Sequence, residues 1–216
     1  CRWDGDSSVN CSFTGTSAVP EDLPQTARTA DFSHNNIKTF TCADGRSEER
    51  MLKHLNLSNN LISELSLTTC RNLPFLETLN LNGNAIQVLT LGLPTPQKDG
   101  KVDPLLPALK VLSVERNHLN RVPRGLGLLQ SLQSLRLSSN GIRRVGLSHF
   151  QNCSQLKDID LQNNKITEIH LDAFRDLPKL QVVVDLRENA LATPLPEILI
   201  SLNFFRLEVG LSNNVW

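Results

Sequence analysis

The sequence contains no tyrosine and a single methionine among its 216 residues. Aromatic residues and methionine often anchor protein interfaces, so a partner would have to be bound largely through other side chains. No apolar run reaches the roughly 20 residues that a membrane-spanning helix needs. Lys and Arg number 22, as do Asp and Glu, so the formal net charge is zero. The absence of a basic excess argues against a nucleic-acid-binding protein.

Catalytic and metal-binding motifs are also missing. The five histidines occur singly. The sequence has no His-Glu-x-x-His, no paired zinc cysteines, no nucleophile elbow and no glycine-rich phosphate loop. We therefore expect that the protein is not an enzyme, that it has no catalytic or metal-binding residue, and that it needs no cofactor.

A repeat of the form L-x-x-L-x-L-x-x-N-x-L is present throughout the chain. Its asparagine occurs eight times, with spacings of 23 to 25 residues and one of 33. The repeated asparagines are Asn35, Asn60, Asn84, Asn117, Asn140, Asn164, Asn189 and Asn214. Alternate leucines point to one face of a short strand. An Asn amide carries both donors and an acceptor, so stacked asparagines can bond the backbone groups that a turn leaves open.

This pattern predicts a leucine-rich-repeat solenoid, an α/β horseshoe of about eight repeats. A parallel β-sheet should line its concave face, and short helical or 3₁₀ and irregular segments its convex face. We divide the chain into an N-terminal cap at 1–26 and a solenoid at 27–216. Because the chain stops at Trp216 within a repeat and no cysteine-rich C-terminal cap is present, we expect the natural protein to continue.

Two segments depart from the repeat. Residues 91–104 are rich in proline, glycine and charge, so they predict an inserted loop, either functional or without a role. The seventh repeat has one residue too many between Leu180 and Leu186. Either a β-bulge forms near Val183, or the convex segment absorbs the extra residue.

The five cysteines indicate an oxidising compartment. Cys1 and Cys11 fit a disulfide that closes the N-terminal cap, and two free thiols are the alternative. Cys153 occupies a leucine position of the repeat and should be a buried free thiol. A bridge between Cys42 and Cys70 is one pairing that the sequence allows, although sequence alone cannot fix connectivity.

Three triplets match the N-glycosylation sequon, at Asn10, Asn56 and Asn152. Such triplets also arise by chance in repeats of this kind. Together with a cap disulfide they favour secretion. Asn56 lies between two core leucines, so its side chain should project from the concave face.

Charged residues concentrate on the concave face of the second half of the solenoid. The candidate protein-binding residues are Glu115, Arg116, Arg136, Asp158, Asp160, Asp185, Arg187 and Glu188. This surface is either a protein-binding patch with arginine anchors or a solvated face whose charges compensate one another. A second group comprises Arg121, Arg124, Arg143 and Arg144. It is either an ordinary charged rim or a site for an acidic partner or a glycan sulfate.

Several stretches resemble an extracellular leucine-rich-repeat family. They are NCSFTG at Asn10–Gly15, QTA at Gln25–Ala27, KHLNLSNNLIS at Lys53–Ser63, LQSLRLSSNGI at Leu132–Ile142 and FQNCSQL at Phe150–Leu156. The resemblance implies an ectodomain on the extracellular face of the plasma membrane, in a single-pass membrane protein, and it implies no ligand and no site residues.

From these observations we expect a receptor or adhesion domain that binds another protein through its concave face. It should contact neither nucleic acid nor, except through a segment outside this chain, the membrane. The alternative is a secreted structural protein of the matrix or proteoglycan type.

Overall fold

A computed structural model describes residues 1–20, 22–42, 50–68, 70, 72–92, 105–170, 172–174, 177, 182–192 and 207–215. Its strands, in chain order, are β1 (Arg2–Trp3), β2 (Ser8–Asn10), β3 (Thr29–Asp31), β4 (His54–Asn56), β5 (Glu64–Ser66), β6 (Thr78–Asn80), β7 (Val88–Thr90), β8 (Val111–Ser113), β9 (Ser134–Arg136), β10 (Arg144–Val145), β11 (Asp158–Asp160), β12 (Glu168–Ile169), β13 (Val182–Asp185) and β14 (Leu207–Gly210).

Ten of these strands form one sheet, in the order β1-β2-β3-β4-β6-β8-β9-β11-β13-β14. The strands pair in parallel, except that β1 is antiparallel to β2. Eight of them, β3 to β14 in this order, are each followed by one of the repeated asparagines. The predicted solenoid with its parallel sheet is therefore confirmed.

The core is a continuous seam of aliphatic side chains. Each strand from β3 to β13 in the large sheet turns one apolar residue inward. These buried residues are Ala30, Leu55, Leu79, Leu112, Leu135, Ile159 and Val184. They pair with one another across the sheet, as Leu79 does with Leu112 and Leu112 with Leu135. Burying a leucine side chain stabilises a fold by about 1.5–3 kcal/mol, so the stacking of repeats supplies much of the driving force.

The repeated asparagines join each repeat to the one before it. Asn164 is typical: its Nδ2 donates to the carbonyls of Leu137 and Leu161, both at 3.0 Å. Its Oδ1 accepts the backbone N–H of Ile142 at 3.1 Å. The other seven asparagines likewise donate to the preceding repeat, or to the cap, and accept a backbone N–H from it. The predicted asparagine ladder is confirmed.

The convex side contains an arrangement that the repeat pattern does not reveal. Two short parallel sheets form there, one from β5 and β7 and the other from β10 and β12. Their central residues, Leu65 and Leu89 in the first sheet, are buried while their neighbours are exposed. Within the described residues the convex side has one 3₁₀ turn, Leu126–Leu128, and no α-helix.

The seventh repeat keeps its register. Val183 pairs with Asp158 on one side and with Glu208 on the other, and every residue of β13 pairs in sequence with β14. The expected β-bulge is therefore wrong for residues 182–185. Leu180 and most of the inserted loop, residues 93–104, lie outside the described residues.

Two disulfides tie the first repeats together. Cys1–Cys11 closes the N-terminal cap, as predicted, and Cys42–Cys70 joins two successive convex segments. Cys153 is the free cysteine, and it is buried in the core as expected. Burial raises the pKa of its thiol to about 11, because a thiolate there would be poorly solvated.

Candidate functional site

One column of side chains on the concave face has a structural role that the sequence analysis missed. It stands at the last residue of successive strands and includes Asp31, Asn56, Asn80, Asp160 and Asp185. In each, Oδ1 accepts the backbone N–H two residues later, at 2.9 to 3.1 Å. These are Asx turns, which Asp and Asn favour wherever the chain leaves a strand. The recurrence of Asp or Asn at this repeat position was the signal that could have revealed them.

Ser113 and Arg136 interrupt this column. The Ser113 hydroxyl donates to Asn82 Oδ1 at 2.7 Å, and the same oxygen accepts the Glu115 N–H at 2.8 Å. Arg136 is exposed, and its guanidinium makes no hydrogen bond or ion pair with any other residue that the structure describes. Its five N–H donors are thus available to a partner.

The acidic residues beside Arg136 are largely occupied. Arg187 forks onto Asp185, with Nη2 2.7 Å from Oδ2 and Nε 3.0 Å from Oδ1. These hydrogen bonds lower the pKa of Asp185, because they favour its charged form. Asp158 accepts the Ser134 hydroxyl at 2.5 Å.

Asp160 lies directly across the sheet from both Arg136 and Asp185. Burial raises the pKa of Asp160, and the neighbouring Asp185 carboxylate raises it further, while Arg136 and Arg187 act in the opposite direction. Its surroundings therefore penalise a negative charge.

Arg116 and Glu188 belong to a different column, three residues beyond the strand ends. The residue before every repeated asparagine has a positive φ, with values between 52° and 68°. Except at Asn213 in the last repeat, its N–H donates to a carbonyl of the next repeat, as Arg116 does to Ser138 at 3.0 Å. The eight predicted residues thus separate into a concave group on the strands, Arg136, Asp158, Asp160 and Asp185, and this rim column, and Glu115 and Arg187 lie between the two.

The sequons occupy three kinds of position. Asn10 is exposed, and its Oδ1 accepts the N–H and the hydroxyl of Ser12. Asn56 is half-buried in β4 on the concave face, whereas Asn152 is exposed in the turn before Cys153. Glycosylation at these sites stays a prediction.

The second basic group is divided by the structure. Arg144 pairs with Glu168 at 3.2 Å across the convex sheet of β10 and β12. Arg124 and Arg144 both lower the pKa of the half-buried His149, although burial lowers it more. Arg121 and Arg143 instead line a shallow depression at the rim of the repeats.

Across the described residues, no group of three or more His, Cys, Asp or Glu side chains is placed to hold a metal ion. No helix in the same part of the chain is long and apolar enough to cross a membrane.

Comparisons with known proteins agree with this architecture. Residues 130–191 match the family described as leucine rich repeat, and residues 50–91 match the family of leucine rich repeats in two copies. The chain is 46% identical over 222 residues to human leucine-rich repeat-containing protein 66, an alignment that covers 100% of the chain and 25% of that protein. It is 28% identical to Tsukushi of Xenopus tropicalis, over 86% of the chain and 45% of that protein.

The chain thus spans about a quarter of the length of the human relative. Among solved structures, human trophoblast glycoprotein superposes with a TM-score of 0.73 at 23% identity, over 97% of this chain and 78% of that one. At this identity the likeness shows a shared fold.

Proposed function

Because the chain belongs to the leucine-rich-repeat proteins, we propose that it is an extracellular receptor or adhesion domain that binds another protein through its concave face. We place this domain in a single-pass membrane protein whose membrane segment lies outside the chain. The two disulfides support an oxidising, extracellular environment, since thiols are kept reduced in the cytosol.

The observation that carries the proposal is that no described residue pairs with the Arg136 side chain. Of the seven column residues from Asp31 to Asp185, it is the one whose side chain makes no hydrogen bond in the described part of the chain. A guanidinium can fork to a partner carboxylate, and arginine is enriched among interface hot spots. Asp160 lies directly across the sheet from it.

The proposed footprint covers the C-terminal half of the concave sheet, from β8 to β14. The cluster of charged candidates lies there, and the concave sequon at Asn56 lies in the other half. A glycan on Asn56 would shield the first repeats and leave Arg136 accessible. The Asp185–Arg187 pair would form the polar side of the footprint.

The test begins with the full chain, multimerised and screened against arrayed cell-surface proteins. Each protein captured is then measured against the wild type and Arg136→Glu by surface plasmon resonance. We expect Arg136→Glu to weaken binding by about 2 kcal/mol or more, roughly 30-fold. The matched control is Arg144→Glu, an identical charge reversal on the convex side, which should change affinity by less than about 1 kcal/mol.

If Arg144→Glu abolishes binding while Arg136→Glu leaves it intact, the concave-face proposal is wrong. Membrane attachment needs a separate measurement. Fractionation of cells that express the full-length natural protein should recover it with integral membrane proteins. Recovery from the medium without a membrane anchor would favour the secreted, matrix-type alternative.

A further inference from the structure

A long acid-free stretch lies in the middle of a chain whose formal net charge is zero. Between Glu115 and Asp158 the sequence carries seven Lys and Arg residues and no Asp or Glu. Arg136 faces the concave side. Several of the others follow the strands, where successive repeats bring them together.

Three cations line one depression beyond the ends of the strands. Arg121, Arg143 and Lys165 come from three successive repeats and border an open hollow of about 790 Å³. All three are exposed, and none makes a side-chain hydrogen bond or ion pair with another described residue. His118 adds a fourth nitrogen group to the same lining.

Among the residues that the structure describes, no carboxylate lines this depression. Its other lining residues are Asn117, Leu119, Asn120, Ser139, Asn140 and Gly141. Arg144, by contrast, is neutralised by Glu168 on the neighbouring convex sheet. Like charges in one hollow repel one another, so an anionic ligand that neutralised them would be favoured.

We propose that this depression binds a sulfated glycosaminoglycan, as a second site separate from the concave face. Neighbouring strands of a sheet lie about 4.7–4.9 Å apart, so the three successive repeats that supply these cations span about 10 Å across the sheet. A glycosaminoglycan is a linear chain whose sulfates and carboxylates recur along its length. Arginine guanidinium groups bind such oxyanions with two parallel hydrogen bonds.

The lining favours a polysaccharide over an acidic peptide. Protein interfaces usually contain buried aromatic or aliphatic anchors. The apolar residue of the lining, Leu119, is 2% exposed and belongs to the core. The large exposed apolar side chains of the described chain, such as Phe13 and Leu147, lie outside the lining. An open, polar and cationic row fits a hydrated polyanion.

The probe is a heparin octasaccharide, with its desulfated counterpart and a polyglutamate peptide as comparisons. Binding to the full chain is measured by calorimetry at several salt concentrations. The triple variant Arg121→Gln, Arg143→Gln and Lys165→Gln should weaken heparin binding at least tenfold. For the wild type, the logarithm of the dissociation constant should rise with the logarithm of salt concentration with a slope of about 2 to 3, as for three cations that displace counterions.

The matched control, Arg28→Gln, Lys53→Gln and Lys157→Gln, removes the same number of charges from residues that each precede a strand, at the opposite strand ends from the depression. It should weaken binding less than threefold, and both variants should melt at the wild-type temperature because the altered side chains are exposed. Four results would each overturn the proposal: no heparin binding by the wild type, equal losses in the two variants, unchanged binding in the first variant, or equal affinity for the desulfated chain or polyglutamate.

Discussion

Removing one asparagine from the middle of the ladder should destabilise the solenoid by several kcal/mol. Asn164 is 7% exposed, and its amide bonds backbone groups in two repeats. The Asn164→Ala change deprives the Ile142 N–H of its acceptor. The carbonyls of Leu137 and Leu161 each lose one donor but keep another, from Asn140 and from Asn189.

The magnitude follows from these partners. A buried donor left without an acceptor costs about 1–3 kcal/mol, and each lost bond to a carbonyl that keeps a second donor costs about 0.5–1.5 kcal/mol. Together the expected loss is about 2–6 kcal/mol. Asn120→Ala is the control, because Asn120 is exposed and its side chain makes no bond with the described residues. It should change stability by less than about 0.5 kcal/mol.

Urea unfolding followed by circular dichroism measures both variants. A third variant, Asn164→Asp, keeps the acceptor for Ile142 but places a carboxylate against two carbonyls. This carboxyl should have a raised pKa in the folded state, so its destabilisation should be present at neutral pH and fade as pH falls through that pKa. If Asn164→Ala unfolds at the same urea concentration as Asn120→Ala, the ladder does not stabilise the fold as argued.

Four further predictions concern single residues. The pKa of Asp160 is raised in the folded protein, so its ionised carboxylate destabilises the fold above that pKa. Urea unfolding of Asp160→Asn should therefore show a higher stability than the wild type at neutral pH but not at pH 2. Asp185→Asn should lower stability at neutral pH. The pKa of Asp185 is lowered in the fold, so its carboxylate stabilises the protein until acidification protonates it. Cys153 should resist alkylation at pH 8 in the native protein and react once urea unfolds it. Gly83→Ala, at φ 68° and with its Cβ against Asn59 Oδ1, should cost about 1–2 kcal/mol by calorimetry.

The sequence predicts the repeat architecture well because one residue type marks one position. An asparagine that recurs every 23 to 25 residues sets the length of each turn, and the leucines at fixed distances from it set the strand register. The pairing of Leu55 with Leu79 follows from their equal distance to Asn60 and Asn84. Even with the longer spacing before Asn117, β6 pairs with β8 in the register that the repeat pattern predicts.

The repeat pattern could not predict which candidate side chains pair with another residue. In the sequence, Arg136 and Arg187 are equivalent members of one charged cluster. In the structure Arg187 is bound to Asp185, whereas Arg136 is not paired with any described residue. That difference depends on side-chain rotamers, which the repeat pattern does not carry. For the same reason the pattern grouped Arg144 with Arg121, although Glu168 neutralises the first.

Backbone strain in this solenoid belongs to the fold and cannot be used to locate a site. Arg116 and Glu188 have left-handed backbones at φ 52° and 57°, which costs an ordinary residue about 1–2 kcal/mol. At a single position such strain would suggest function. Here the residue before every repeated asparagine has it, because this conformation directs each N–H, except that of Asn213 in the last repeat, to a carbonyl of the next repeat. We therefore propose Arg136 on the concave face, and Arg121, Arg143 and Lys165 at the rim, as binding residues because their side chains pair with no other described residue and because of where they lie.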